Sequence, residues 1–414
     1  MSPAEPLRQP APGTRWLSIV GIGEDGISGL GEAASNAIQS AEIVFGGKRH
    51  LALAAGLITG EARAWPSPFE QGMDAVAGLR GRSVCVLASG DPFLHGVGAT
   101  LAGRIDPSEM NVLPAPSAFS LAAARLGWPL QTVRTVSLHG KDPNLIRPEL
   151  HPGARILALT SDGDGPATLA RLLCELGFGQ SRLTVLEALG GPAERIRTQT
   201  ASAFSLSTVN PLNLIAIEVV AEPDARILPL GFGLLDDLFE HDGQITKREI
   251  RAMTLAALAP RRGELLWDVG AGSGSVAIEW MLADRSMRAV AIEADRERAA
   301  RIAWNAAACG VPGLLVVEGV APPAFAGLEQ PDAIFIGGGG SDAGVLDAAL
   351  DGLKHGGRLV ANAVTLEMEA ILLAKHRELG GGLVRVAISR ASPVGSMSGW
   401  RPAMPVTQWS WVKP

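Results

Sequence analysis

The hydrophobic positions of the chain fall into short continuous runs separated by longer amphipathic stretches. Trp16–Gly21 (WLSIVG), Ser83–Ala88 (SVCVLA) and Asn111–Leu113 are apolar runs of strand length, while Glu32–Ala41, Gly96–Gly103 and Ser117–Leu126 carry Ala and Leu at helical spacing. Short buried strands alternating with helices predict a parallel α/β architecture. A second set follows, with strands at Arg155–Thr160, Leu183–Glu187 and Leu212–Val220 and a helix at Ala167–Leu176. The pattern pauses at the polar stretch Glu222-Pro223-Asp224-Ala225-Arg226, which ends at Pro229, so a linker is expected over 223–232. It then restarts, with strands at Leu265–Gly270, Arg288–Glu293, Leu314–Glu318, Ala333–Ile336 and Arg358–Ala363. Two late runs, Leu383–Ser389 and Thr407–Val412, show no helical stretch between them and predict a closing antiparallel hairpin. The pattern therefore predicts two α/β domains in series, 15–222 and 233–414. Before them lies a tail over 1–14 with Pro at positions 3, 6, 10 and 12, expected to be disordered.

Composition narrows the function classes. Of 414 residues, 47% are apolar and 19% charged, enough apolar material for two buried cores. The net charge of −6 gives no basic field for nucleic acid, and no apolar run reaches the roughly 20 residues a membrane helix requires. The tail has no apolar segment of signal-peptide type, so a cytoplasmic protein is expected, with neither membrane nor nucleic acid as partner. Cys85, Cys174 and Cys309 form no CxxC pair, and the seven His residues show no HExxH pattern, so no metal is expected.

Candidate chemistry concentrates in glycine-rich turns after strands. In the second domain, Asp268-Val269-Gly270-Ala271-Gly272-Ser273-Gly274-Ser275 leaves a strand and enters a helix near Val276. Glycines let the backbone turn and approach a ligand, and the helix N-terminus behind them supplies free N–H groups. Glu293 ends the next strand, where an acid can accept hydrogen bonds from a ribose diol. Asn362, near the end of the Arg358–Ala363 strand, joins these groups at the carboxyl ends of the strands. A dinucleotide fingerprint would need Gly or Ala at position 275, where Ser stands, which disfavours an NAD-dependent dehydrogenase. Upstream, Thr246 followed by Glu249 fits a capping box for a helix.

The D-V-G-A-G-S-G string resembles the first motif of class I S-adenosylmethionine-dependent methyltransferases, a Rossmann-like family. That resemblance implies that Gly270, Ala271, Gly272, Ser273 and Gly274 face the cofactor and that Glu293 holds its ribose. Gly319 and Ala321, just after Leu314–Glu318, join the same site. The string Gly243-Gln244-Ile245-Thr246-Lys247-Arg248-Glu249-Ile250-Arg251 is similar to the segment that covers the cofactor in the precorrin C-15 methyltransferase and decarboxylase family. There the Thr lies against the cofactor, which is compatible with Thr246 also capping.

In the first domain, Gly21-Ile22-Gly23-Glu24-Asp25-Gly26, Ser89-Gly90-Asp91-Pro92-Phe93-Leu94-His95-Gly96, Pro114-Ala115-Pro116-Ser117-Ala118 and Ser137-Leu138-His139-Gly140-Lys141 occur in that order. They resemble the tetrapyrrole methylases, or class III methyltransferases, whose two-lobed α/β domain folds S-adenosylmethionine into the cleft between its halves. The resemblance implies cofactor contacts at Gly23, Gly90, Asp91, Leu94, Ser117 and Ala118. Pro114-Ala115 replaces the usual Pro-Gly, and Glu24-Asp25 replaces another Pro-Gly, which leaves the loop shapes open. Ser137–Asp142 resembles strings of the cobalamin-pathway C-5 branch, and His139 is either a surface residue or a base.

The two resemblances in series imply a fused C-5,15 precorrin methyltransferase family that decarboxylates the ring C acetate and uses two S-adenosylmethionine molecules per chain. They imply a small-molecule tetrapyrrole substrate and a homo-oligomer. Arg is the natural partner of the macrocycle's carboxylates, and Lys247, Arg248, Arg251, Arg390 and Arg401 are candidates. His139, Lys247 and Asn362 are the candidate catalytic residues. Rival readings are an RNA methyltransferase using the second domain and a tetrapyrrole carrier without catalysis.

Overall fold

A computed structural model of the protein describes residues 15–414; the expected tail over 1–14 lies outside the described residues. The chain divides into two compact units. Of the described residues, one unit comprises 15–143 together with His151–Arg226, the other Asn144–Leu150 together with Ile227–Pro414.

The first unit holds two five-stranded sheets. Strands β1 (Leu17–Ile22), β2 (Ile43–Gly46), β3 (Glu61–Ala64), β4 (Val84–Ser89) and β5 (Met110–Leu113) form a parallel sheet in the order β3-β2-β4-β1-β5. Its central strands are buried on both faces, which is why they read as continuous apolar runs. Helix Ala118–Leu126 follows β5; Ser117 caps it, its Oγ accepting the Ser120 N–H at 3.1 Å, and Gly127 ends it at φ 66°.

The second sheet comprises β6 (Arg134–Ser137), β7 (Arg155–Leu159), β8 (Arg182–Glu187), β9 (Arg195–Thr200) and β10 (Asn213–Glu218), in the order β6-β7-β10-β8-β9. Here the parallel expectation holds only for β6 and β7, and the remaining pairings are antiparallel. Apolar runs report burial and not strand direction. Direction follows from the connections, and the short Ala188–Glu194 loop joins β8 to β9 as a hairpin that parallel strands could not make.

The second unit is a seven-stranded sheet of β11 (Leu265–Val269), β12 (Arg288–Glu293), β13 (Leu315–Glu318), β14 (Ala333–Ile336), β15 (Arg358–Ala363), β16 (Gly382–Val386) and, after the two-stranded β17 (Ser389–Val394) and β18 (Met397–Pro402), β19 (Val406–Val412). The order is β13-β12-β11-β14-β15-β19-β16, parallel through β15 and antiparallel on both sides of β19. Strands β16 and β19 do pair antiparallel, yet they do not form a simple hairpin, because β17 and β18 form a separate ribbon between them. That ribbon is largely exposed, so it has no apolar run to announce it. Two apolar clusters cover the sheet faces, one around Trp280 and Phe335 and the other around Trp267, Ile334 and Trp409. Chain order reverses on either side of β11, so a crevice opens at the carboxyl ends of β11 and β14.

Candidate functional site

The loop after β11 turns through three left-handed glycines, Gly270 (φ 66°), Gly272 (φ 59°) and Gly274 (φ 74°). At Gly270 a Cβ would lie 2.4 Å from the Gly338 carbonyl oxygen, and at Gly272 it would lie 2.9 Å from that of Gln244. Both positions therefore exclude any side chain, on backbone conformation and on space alike. Helix Ser275–Leu282 starts directly behind the loop.

Two carboxylates hold this loop. Glu293, buried at the end of β12, accepts the Gly272 N–H at 2.7 Å and the Asp295 N–H at 3.1 Å. Asp268 is buried; its Oδ2 accepts the Ala277 N–H at 3.0 Å and its Oδ1 has no partner among the described residues. Burial pushes the Asp268 carboxyl up to about 7, the Glu293 charge adds to the rise, and the Ala277 hydrogen bond opposes it.

A strap over 240–247 runs against the glycine loop. Buried Asn305 ties the two: its amide donates to the Glu240 and Ser273 carbonyls, both at 2.9 Å, and its Oδ1 accepts the Glu240 N–H at 2.8 Å. Asp242 accepts from Arg298 Nε at 2.8 Å and from the Gln244 N–H at 3.0 Å, and Arg298 holds its carboxyl far below the ordinary range. Arg251 is fully buried beneath the strap. It donates to Glu279 (2.5 Å), Asp236 (3.1 Å), the Thr246 carbonyl (2.5 Å) and the Leu234 carbonyl, with its guanidinium over the Phe239 ring.

Between strap and sheet lies a cavity of about 600 Å³. Thr246 and Lys247 from the strap, Gly270, Ala271 and Gly272 from the loop, and Glu293, Gly319, Ala321 and Asn362 from the strand ends all line it. Its far wall comes from Val386, Ile388 and Arg390 and from Ala403, Met404 and Val406, around the β17–β18 ribbon. An acid, a close-approach backbone and an apolar flank within one concave site can hold a nucleoside and a neighbouring planar substrate.

In the first unit, the carboxyl ends of β1, β4 and β5 meet. Gly90 (φ 55°) donates its N–H to the Ile22 carbonyl at 3.2 Å and accepts the Ala115 N–H at 3.1 Å. Asp91 Oδ1 accepts the Phe93 N–H at 2.8 Å, which shapes the turn that leaves Leu94 exposed. The geometry thus brings Gly90, Ser117 and Ala118 together, since a Cβ on Gly90 would stand 3.0 Å from the Ser117 Cα. His139 lies on a different element after β6, its Nδ1 3.3 Å from the Thr160 carbonyl oxygen.

Residues 17–204 match the model of the tetrapyrrole (corrin/porphyrin) methylases, and residues 237–413 match that of the precorrin methyltransferase domain. A precorrin-6Y C(5,15)-methyltransferase [decarboxylating] of Sinorhizobium sp is 64% identical over 405 residues, covering 98% of each chain. The protein of that name from Mycobacterium tuberculosis is 44% identical over 402 residues, covering 96% of this chain and all of the relative. The crystal structure of the C-terminal domain of a precorrin-6Y C5,15-methyltransferase from Rhodobacter capsulatus is 49% identical, with a TM-score of 0.43, covering 45% of this chain and all of its own.

The chain belongs to the decarboxylating precorrin-6Y C(5,15)-methyltransferases.

Four expectations change in the structure. Thr246 does not cap a helix: helix Arg248–Leu258 starts one residue later, with Lys247 at the cap position and no side-chain cap bond. Thr246 instead faces the cavity while Arg251 holds its carbonyl. Arg251 cannot reach a substrate carboxylate, because it is buried and committed to Glu279 and Asp236. Arg248 Nε donates to the Gly233 carbonyl at 2.8 Å and Arg390 pairs with Glu249, which leaves Lys247, 3.8 Å from Asp236, the least tightly held of the candidates on the cavity wall. Ser273 and Gly274 lie behind the cavity wall: Ser273 is buried with its Oγ unpartnered among the described residues, and Gly274 packs on Ile302. Asn362 lines the cavity, but its amide donates to Thr254 Oγ1 at 2.9 Å and its Oδ1 accepts from Gln408 at 3.0 Å, so it shapes the wall. Sequence reasoning missed Arg298 and Asn305, whereas the Gly337-Gly338 strand end, which the sequence grouped with Glu293 and Asn362, does line the cavity.

Proposed function

We propose that this chain carries out two methyl transfers in corrin-ring construction, to C-5 and C-15 of precorrin-6Y, with loss of the ring C acetate carboxyl as carbon dioxide. The first unit serves C-5 and the second serves C-15 and the decarboxylation, each with its own S-adenosylmethionine. The observation that carries the reading is the cavity of about 600 Å³, in which the Gly270–Gly272 backbone and Glu293 face the strap bearing Thr246 and Lys247.

The residues fit S-adenosylmethionine. At either glycine a Cβ would collide with the chain's own backbone, at Gly338 or Gln244, so the turn stays bare where it lines the cavity, and the Glu293 carboxylate stands where a ribose diol can donate to it. When bound, that cofactor supplies an electrophilic methyl on a sulfonium. The chain's own work is to bind, orient and exclude water, which can account for most of such a displacement. Thr246 and Lys247 close the cavity from the strap side, and Lys247 offers its ammonium to a substrate carboxylate. Decarboxylation needs a conjugated electron sink, which the protonated macrocycle provides, and the apolar flank from Val386, Ile388 and Met404 favours departure of a neutral molecule. In the first unit, Gly90, Asp91, Leu94, Ser117 and Ala118 are proposed to hold the second cofactor, with Gly23 beside the substrate.

Mass spectrometry of the product from precorrin-6Y and S-adenosylmethionine tests the reading. Two added methyl groups and one lost carbon dioxide are expected, and an unchanged substrate would refute it.

A further inference from the structure

One group of polar side chains in the first unit is absorbed neither by its core nor by the cofactor turns. It lies at the carboxyl ends of β1, β2 and β4, where open parallel sheets present ligand sites. Glu24 follows β1, Arg49 and His50 open the short helix after β2, and Ser89 ends β4, immediately before the Gly90-Asp91 turn. Arg49 Nη1 pairs with Glu24, and its Nη2 donates to Ser89 Oγ at 2.9 Å and lies 2.8 Å from His50 Nε2. His50 Nε2 is also 2.8 Å from Ser89 Oγ. Burial, with the neighbouring Arg49 charge, lowers His50 to about 4, so the ring is neutral at pH 7 and its Nε2 accepts from the guanidinium.

The cluster also sits where the two lobes of this unit approach. A Cβ on Gly191, in the loop after β8, would lie only 2.5 Å from the Cβ of Glu24. It therefore borders the cleft between the lobes on one side and the proposed cofactor turn on the other. A guanidinium has five N–H donors, and these contacts use three, leaving Arg49 Nε–H and one Nη1–H without a protein partner among the described residues. Arg49 is more than a third exposed, and Ser89 is exposed beside it. A charged, forked donor held at fixed orientation with spare N–H groups is the device proteins use to take a carboxylate.

We propose that Arg49, oriented by Glu24, Ser89 and His50, binds a peripheral carboxylate of the tetrapyrrole in the first unit and so fixes which carbon of the ring faces the methyl donor. Arg49 is the binding residue, and the other three are positioning residues. The inference rests on the first unit being the C-5 centre.

The test uses the full chain, wild type and with Arg49→Gln or Arg49→Lys, given precorrin-6Y and S-adenosylmethionine with products followed by mass spectrometry. Losing a charge-assisted contact should raise KM for C-5 methylation about tenfold or more in Arg49→Gln, with kcat changed by less than about threefold. Arg49→Lys should recover part of the loss. Calorimetric binding of S-adenosylmethionine and the C-15 methylation with carbon dioxide release should be unchanged in both variants. A substrate with amidated carboxylates should be a poorer C-5 substrate for wild type, whereas Arg49→Gln should no longer distinguish it from the acid. An unchanged KM in Arg49→Gln overturns the proposal, and so does loss of kcat and cofactor binding together, which would make Arg49 a structural tie. A wild-type chain that methylates no carbon refutes the functional reading itself.

Discussion

Gly272 is the residue at which conformation, packing and the proposed function meet most closely. Its φ of 59°, its N–H bond to Glu293 and its approach to the Gln244 carbonyl are satisfied together only without a side chain. Gly272→Ala adds about 1–2 kcal/mol of left-handed backbone strain and pushes the strap outward, so calorimetry should show S-adenosylmethionine affinity at the second unit reduced at least about tenfold. Asp268 makes a different prediction. Its carboxyl sits near 7 in the folded chain against an ordinary value near 4, so between these limits the folded state holds a proton that the unfolded state has released. Stability of the second unit should then fall as pH rises from about 4 to about 7. Asp268→Asn should remove that slope and gain on the order of 1–4 kcal/mol relative to wild type at pH 7, read from denaturant unfolding across the pH range. A variant whose stability tracks wild type at every pH would contradict it.

At the scale of elements, the buried Arg251 determines where the strap lies. It neutralises Glu279, itself buried and accepting the Gly233 and Leu234 N–H groups at 2.6 and 3.0 Å, and it fixes the Thr246 carbonyl. Arg251→Leu keeps the volume roughly but strands the Glu279 charge, so the second unit should lose about 3–5 kcal/mol in chemical unfolding. Pairing it with Glu279→Leu should return a large part of that loss while cofactor affinity stays weak, because the strap has lost its anchor. This network also shows what the sequence does and does not carry. Strands β12, β14 and β15 were legible to the residue, since buried parallel strands are uninterrupted apolar runs, and the glycine loop was legible because its chemistry is local. The β17–β18 ribbon was not, because an exposed ribbon needs no apolar run. Arg251 looked like a substrate ligand because an Arg five residues after Thr246 gives no local sign of which way it points. Asn305 lies 32 residues from the Ser273 carbonyl it holds, a relation that exists only in the fold.

At the scale of the whole molecule, each unit carries its own sheets, its own glycine-bearing turn at the strand ends and its own buried apolar clusters. Chemistry divided in this way should separate under substitution. Gly272→Arg drives a side chain against the Gln244 carbonyl, displaces the strap that bounds the second unit's cavity and leaves the first unit's strands and turns untouched, whereas Asp91→Ala removes the acceptor for the Phe93 N–H and loosens only the turn after β4. The chain with Gly272→Arg should therefore add a single methyl group and release no carbon dioxide, with the second activity reduced by about two orders of magnitude or more. The chain with Asp91→Ala should still release carbon dioxide and add the other methyl group. Calorimetry should find two S-adenosylmethionine sites in wild type and one in each variant. Mixing the two variants should restore the doubly methylated, decarboxylated product, but with a lag that shortens as protein concentration rises, because an intermediate made on one chain must then diffuse to another. Wild type should show no such dependence, since a second site on the same chain gives the intermediate a high effective concentration. If either substitution abolished both methylations and mixing restored neither, one centre would be performing both reactions, and the division of labour between the two units would be wrong.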